Sequence, residues 1–411
     1  MNLIRTRSPL PRPAIVCLSL AAFCSGVSLR VNDALLPRLA GEFGIGLGQA
    51  AQVISVFAIA YGLAQLLFGP LGDRYGKYRV IACACVACAL SAGLCALSQG
   101  FEQLRLARLA SGATAAAIIP LSMAWIGDVV DYERRQPVLA RFLIGQILGL
   151  AAGVSLGGLA ADHLGWRMPY LLLCGLFAAI AVALFWINSR LPDDAQTMRL
   201  DEGQGQGSAL RRMVADFAHV LAMRWARVVL LTVFLEGIFL YGPFAFIASH
   251  LHQRFDLSLS SAGALVMLFG AGGFVFALGS ARLVAWLGEA GLVRGGGALV
   301  SLALLTLALA PQWGWAPPAC LLSGLGFYML HNTLQVNATQ MAPERRGAAV
   351  SSFASCFFLG QSVGVSVGGL LVEALGSTPL LAVGGIGVLL VALAFGGLLA
   401  SKQRDQRLAA A

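Results

Sequence analysis

Long apolar runs separated by short polar stretches set the rhythm of this chain. A helix needs about 20 apolar residues to cross a bilayer. Twelve runs meet that length: 14–37, 50–71, 80–99, 103–126, 138–161, 169–189, 228–250, 262–285, 292–311, 316–339, 348–372 and 378–400. Barrel strands would alternate apolar and polar positions over about ten residues, and these runs are too long and too evenly apolar for that. The pattern predicts an all-α membrane protein with twelve spans. Pro311 and the Trp313-Gly314-Trp315 turn divide the ninth span from the tenth, a place where tryptophans suit a membrane interface.

The pattern also repeats. Glu133-Arg134-Arg135 recurs as Glu344-Arg345-Arg346, an offset of 211. At the same offset Gly149 meets Gly360, Gly153-Val154-Ser155 meets Gly364-Val365-Ser366, and Gly157-Gly158-Leu159 meets Gly368-Gly369-Leu370. Spans 5 and 11 are therefore equivalent positions in two six-helix halves, 1–189 and 228–411. An even number of spans per half gives the halves parallel topology. The linker, 190–227, carries Pro192-Asp193-Asp194 and a Gly/Gln run at 203–207, a flexible, solvated composition. Within it 209–221 reads as a short amphipathic helix for the inner leaflet.

Composition agrees. Hydrophobic residues make up 58% of the 411 and charged residues 11%, against about 25% charged in a soluble domain. Such a chain needs lipid as its solvent. The net charge of +9 is explained by where the bases sit. Arg5, Arg7 and Arg12, then Arg74, Lys77 and Arg79, Arg134 and Arg135, the linker arginines, Arg345 and Arg346, and Lys402, Arg404 and Arg407 all fall on one side. Arg38, Arg105, Arg167 and Arg254 fall on the other. The positive-inside rule places both termini in the cytoplasm, and the basicity answers to topology and anionic lipid rather than to nucleic acid. The first run, too long for a leader and lacking a small-x-small site, reads as an uncleaved span. The nine cysteines read as small apolar packing residues. Neither a metal site nor a cofactor is expected, and nothing in the chain forms an enzyme's catalytic constellation.

Between spans 2 and 3 lies Gly69-Pro70-Leu71-Gly72-Asp73-Arg74-Tyr75-Gly76-Lys77-Tyr78-Arg79. This order of glycines and charges resembles the loop between helices 2 and 3 of major facilitator superfamily transporters. Arg108-Leu109-Ala110-Ser111-Gly112 in span 4 looks like the arginine motif of that family's proton-driven members. Span 5 is similar to the glycine pattern of its exporters, with Val154 where that pattern has proline. The resemblance implies one 6+6 helical domain whose halves rock about a cavity lined by spans 1, 4, 7 and 10. It implies a monomeric, multi-pass, inner-membrane secondary carrier that exports a small organic molecule, drug or sugar-like, against protons. Two alternatives stay open: a proton-coupled importer of a nutrient or organic acid, and a non-cycling sensor derived from a carrier. The loop would latch the cytoplasmic side through Gly69, Asp73, Arg74, Gly76, Lys77 and Arg79. Asp73 would pair with Arg74 or Lys77, or sit at a helix N-terminus, which the resemblance implies is that of span 11 after Arg346-Gly347, and Asp128 would partner a loop base.

Ionisable residues inside a bilayer are functional candidates. Glu236 lies near the middle of span 7, where a carboxyl could take up and release a proton. Arg30 and Asp33 share a face of span 1, and Arg108 enters span 4 at similar depth, so an Asp33–Arg108 pair is expected, with Asp33 held by Arg30 as the alternative. Tyr328, His331, Asn332 and Gln335 give span 10 a polar stripe of the kind that lines a wet cavity, and His331 is a second proton candidate. The glycine rows Gly149, Gly153, Gly157 and Gly360, Gly364, Gly368 allow close helix approach and are expected at the interface between halves.

Overall fold

A computed structural model describes residues 12–191 and 206–410. Arg5, Arg7 and the linker stretch 192–205 lie outside the described residues. The spans are α1 (Arg12–Arg30), α2 (Gln52–Tyr75), α3 (Lys77–Leu97), α4 (Phe101–Val129), α5 (Tyr132–Leu159), α6 (Met168–Asn188) and α7 (Arg224–Phe255). α8 and α9 share the continuous stretch Leu259–Leu309, broken at Gly288, whose φ of 63° only glycine adopts freely. α10 (Ala316–Gln340), α11 (Arg346–Leu375) and α12 (Ser377–Ala410) complete the set. Ten of these stretches are apolar enough to cross a membrane by hydropathy alone. One of the ten holds both α8 and α9. α10 falls short because Tyr328, His331, Asn332 and Gln335 dilute it. The twelve-span pattern accounts for both facts.

The two halves are built alike. α1 crosses α5, α2 lies on α4 and α3 on α6; α7 crosses α11, α8 lies on α10 and α9 on α12. The first crossing is backbone against backbone. A methyl added at Gly149 would run into the carbonyl of Phe23, one at Gly157 into that of Val31, and one at Gly26 would lie 2.8 Å from the carbonyl of Gln146. In the second half Gly360 meets the carbonyl of Phe234, Gly364 that of Ile238, and Gly237 that of Phe357. Here the sequence expectation is corrected. Gly149, Gly153, Gly157, Gly360 and Gly364 face α1 or α7 of their own half, and Gly368 faces Leu380 and Phe246. They hold each half together rather than joining the two. The contacts between halves are α2 on α11 and α5 on α8, and the close glycines there include Gly158 against Leu259, Gly263 against Val154 and Gly369 against Gly48.

Those contacts gather toward one end. Ser362 donates to the Ser55 carbonyl at 2.9 Å, and Tyr61 packs on Phe358 at 4.2 Å. Toward the α2–α3 turn, Leu63, Leu67 and Leu71 are exposed and Gly69 meets nothing within 4 Å. The halves part at the end that carries the α2–α3, α4–α5 and α10–α11 turns. A linker helix, Gln206–Ala222, packs on α7 and α11, and its Asp216 is ion-paired with Arg345.

The glycine crossings should be intolerant. Gly149→Leu or Gly360→Leu forces backbone apart, and an overpacked site costs about 1–3 kcal/mol or more. Thermal unfolding of purified protein in detergent should show a lowered midpoint for both. Gly175→Leu, at an exposed position on α6 with nothing within 4 Å, should not. Equal midpoints for all three would show that the crossings are loose.

Candidate functional site

Two interruptions of regular helix place the polar residues at mid-membrane. α1 stops at Arg30, and helix resumes only at Leu36, just before Pro37. The five-residue turn between them holds Asn32 and Asp33, both buried. α7 widens into a π-type turn over Gly237–Tyr241, directly after Glu236 and before Pro243. Proline has no N–H to donate and its ring crowds the carbonyl four residues back, which accounts for the extra residue in that turn. Turns of this kind collect at functional sites.

Asp33 pairs with Arg30, not with Arg108. Arg30 Nη1 lies 3.4 Å from Asp33 Oδ2, while Arg108 spends its donors elsewhere. Arg108 Nε reaches the Val53 carbonyl at 3.3 Å, Nη1 lies 3.5 Å from Ser28 Oγ, and the guanidinium stacks 4.2 Å over Phe57. Asn32 lies 2.5 Å from Tyr170 Oη; with its amide turned, it also accepts from Arg108 Nε and Nη2 at 3.3 Å. Arg108 thus ties α4 to α1, α2 and, through Asn32, α6. Close packing makes this possible, since Gly112 one turn on abuts the Phe57 carbonyl.

Glu236 is fully buried, and its Oε2 lies 2.8 Å from His331 Nδ1 on α10. Its Oε1 has no partner among the described residues. The imidazole sits among rings, 4.8 Å from Phe327 and Phe357 and 5.4 Å from Phe353. Two candidates chosen separately from the sequence therefore form one unit. Of the remaining α10 stripe, Tyr328 lines a cleft while Asn332 and Gln335 are exposed.

A narrow cleft lies between the halves, lined by Arg30, α5 from Ile147 to Val154, Tyr241, Phe244, Val266, Phe269, Gly270 and Tyr328. Arg30 lies 4.0 Å over the Tyr241 ring and 5.0 Å over Phe244. Tyr241 also meets Phe327 and Phe357 edge-on at 5.4 and 5.1 Å. Sequence reading missed this aromatic wall, because single rings on apolar helices carry no periodic mark.

In the α2–α3 turn, Lys77 bridges Asp73 at 3.0 Å and Asp128 at 2.6 Å. Gly76 has φ 86°, which glycine supplies. Arg74 stacks over Tyr75 and Arg79 is exposed. The expected approach of Asp73 to the start of α11 is not made. Asp73 is taken by Lys77 instead. No cluster of metal-ligating residues occurs among the described residues.

The family model described as Major Facilitator Superfamily matches residues 18–365. The MFS-type transporter YwfA of Bacillus subtilis is 25% identical over 276 residues, 66% of this chain and 63% of that protein. The multidrug export protein EmrB of Haemophilus influenzae is 28% identical over 151 residues, 37% of this chain and 30% of that protein. The chain therefore spans under two thirds of the length of either relative. Among solved structures, the human organic anion transporter MFSD10 superposes with a TM-score of 0.70 at 18% identity, covering 94% of this chain and 99% of that one.

Double-mutant cycles on unfolding in detergent test the pairing. Removing one member of a buried pair strands the other charge at a cost of about 3–5 kcal/mol. Arg30→Gln and Asp33→Asn together should cost much less than their sum, whereas Arg108→Gln with Asp33→Asn should come closer to additive. The reverse order would make Arg108 the partner of Asp33.

Proposed function

The chain belongs to the Major Facilitator Superfamily, a transporter and not an enzyme, and from that premise we propose that it is a proton-coupled secondary carrier that exports a small organic molecule. Its two halves rock about the mid-membrane cleft. The observation that supports coupling is the Glu236–His331 pair. Glu236 is a carboxylate with no exposure, hydrogen-bonded to an imidazole that sits among three phenylalanines, and an ionisable pair at this depth is a candidate for proton coupling. Both groups lie in the second half, so rocking the first half on it changes which side of the membrane the pair faces, and the pair takes its proton from one side and gives it up to the other. Proton uptake by one state and release by the other is the exchange that drives a substrate uphill.

Likeness to EmrB supports export, over less than a third of that protein. The side of the membrane follows from the bases. Arg74, Lys77, Arg79, Arg134, Arg135, Arg345 and Arg346 gather at the end where the halves part, and positive charge stays in the cytoplasm. On this reading both termini are cytoplasmic, the membrane is the inner one, and the conformation faces inward. Lys77, held by Asp73 and Asp128, is the hinge of a cytoplasmic gate that closes in the opposite state.

Proteoliposomes with an imposed pH gradient, loaded with a proton-sensitive dye and screened against drugs, sugars and organic acids, provide the test. The parent protein should move protons with its substrate. Glu236→Gln should drop gradient-driven accumulation to the leak rate while keeping one-for-one exchange of labelled for unlabelled substrate, which needs no net proton. Unchanged accumulation by Glu236→Gln would place the coupling proton elsewhere.

A further inference from the structure

We propose that Arg30 is the binding group for the anionic head of the substrate, so that the cleft takes organic anions with a flat apolar body. This rests on the carrier reading and names its substrate class. Among the described residues lining the cleft, Arg30 is the sole charged side chain. Glu236 is turned to His331, and Asp33 has its Oδ2 on Arg30. A guanidinium carries five N–H donors. Arg30 spends one of them on Asp33 at 3.4 Å, longer than the ordinary length of about 2.7–2.9 Å for a charge-assisted bond. The ion pair is slack, and Asp33 Oδ1 has no partner among the described residues. The guanidinium lies 4.0 Å over the Tyr241 ring and 5.0 Å over Phe244, and a stacked guanidinium can still offer N–H donors to a carboxylate in a forked contact. Phe269 and Tyr328, with Ile147, Leu150 and Val266, offer the apolar surface on which a ring would lie. A cationic substrate would meet Arg30 and be repelled.

The probes are 2-naphthoate, its methyl ester and 2-naphthylmethylammonium, titrated by calorimetry into purified full-length protein in detergent. Naphthoate should bind more tightly than the ester, and the amine least. Arg30→Gln with Asp33→Asn removes the cation without stranding its carboxylate. It should weaken naphthoate by about tenfold to a hundredfold and leave the ester unchanged. Arg30→Lys, which keeps the charge but not the fork, should fall between. Failure of naphthoate to bind, equal binding of acid and ester, or unchanged naphthoate affinity in the double variant each overturns the proposal. Because binding is read at equilibrium, its failure is separate from a failure of proton-coupled flux.

A second inference comes from the opposite end of the cleft. The first residues of a helix have N–H groups with no intrahelical partner. α8 begins at Leu259, and Asp162 on the far half takes those donors: Oδ1 from Leu259 N at 3.3 Å, Oδ2 from Ser260 N at 2.7 Å and Ser260 Oγ at 2.6 Å. At the other seam Glu373 Oε1 accepts from Gln49 N at 3.1 Å, at the start of the segment leading into α2. Offset by 211, Asp162 is Glu373, Gly158 is Gly369, Gly48 is Leu259 and Gln49 is Ser260. Gly158 abuts Leu259 and Gly369 abuts Gly48, so both seams close with equivalent residues. The structure assigns these two carboxylates as a paired latch on the side away from the α2–α3 turn, released when the carrier changes its facing.

Hydrogen–deuterium exchange reads the latch directly. Asp162→Ala with Glu373→Ala should lose protection at the amides of Gln49, Leu259 and Ser260 and gain protection at the parted end, around 66–74 and 343–350. Glu373→Ala alone, which removes one hydrogen bond, should move the same regions in the same direction. Unchanged exchange at both seams, or loss of protection at both ends together, overturns the assignment.

Discussion

A helix in lipid has no water to drive it against its neighbour, because hydrocarbon is as apolar as leucine. What remains is close contact, and the closest contact is backbone to backbone. The crossings of α1 with α5 and α7 with α11 are of that kind, with Gly26 and Gly149 in one half and Gly237 and Gly360 in the other. Each half is locked where its side chains are smallest. Several of the buried polar groups sit beside those crossings. Arg30 ends α1, Asn32 and Asp33 lie in the turn that follows it, and Glu236 lies immediately before Gly237.

The seam between the halves has a different character. Toward one end it closes with the glycine contacts at Gly158 and Gly369 and with carboxylates on helix starts. Toward the other it is open. The hydrogen bonds there are few and directional, so breaking them as a set costs little beside unpacking a glycine crossing. A molecule with rigid halves and a seam of this sort has one easy motion, a rocking of one half on the other. The ion pairs mark where that motion is felt: Lys77 between two carboxylates at the open end, and Arg30 stacked on Tyr241 across the middle.

Buried charge is kept only where a partner and a reason hold it. Arg108 is embedded in a network of Val53, Ser28, Asn32 and Phe57, and that network positions α4 against α1 and α2. Arg30 has one slack partner and faces the cleft. Glu236 has one short hydrogen bond and one free oxygen. The three groups differ in how fully they are satisfied among the described residues, and the least satisfied are the ones placed to exchange partners.

Much was legible in the sequence because the bilayer imposes it. Twelve runs of the right length and bases confined to the runs' flanks follow from the need to pair every backbone group internally and to keep charge out of hydrocarbon, and the 211-residue repeat can be read directly from residue identity. Glu236, Arg30, Asp33, Arg108 and His331 stood out for the same reason, since each violates the apolar rule. Who pairs with whom was not legible. Helical spacing relates residues three or four apart, and it says nothing about which face of one helix meets another. Asp33 therefore turned to Arg30 instead of Arg108, Glu236 found His331 ninety-five residues away, and the glycine rows met α1 and α7 within each half. The aromatic wall and the latch of Asp162 and Glu373 were equally hidden. A phenylalanine in an apolar run, or an acid at a helix end, looks the same whether it faces lipid, water or the other half, and only the packing of twelve helices decides among them.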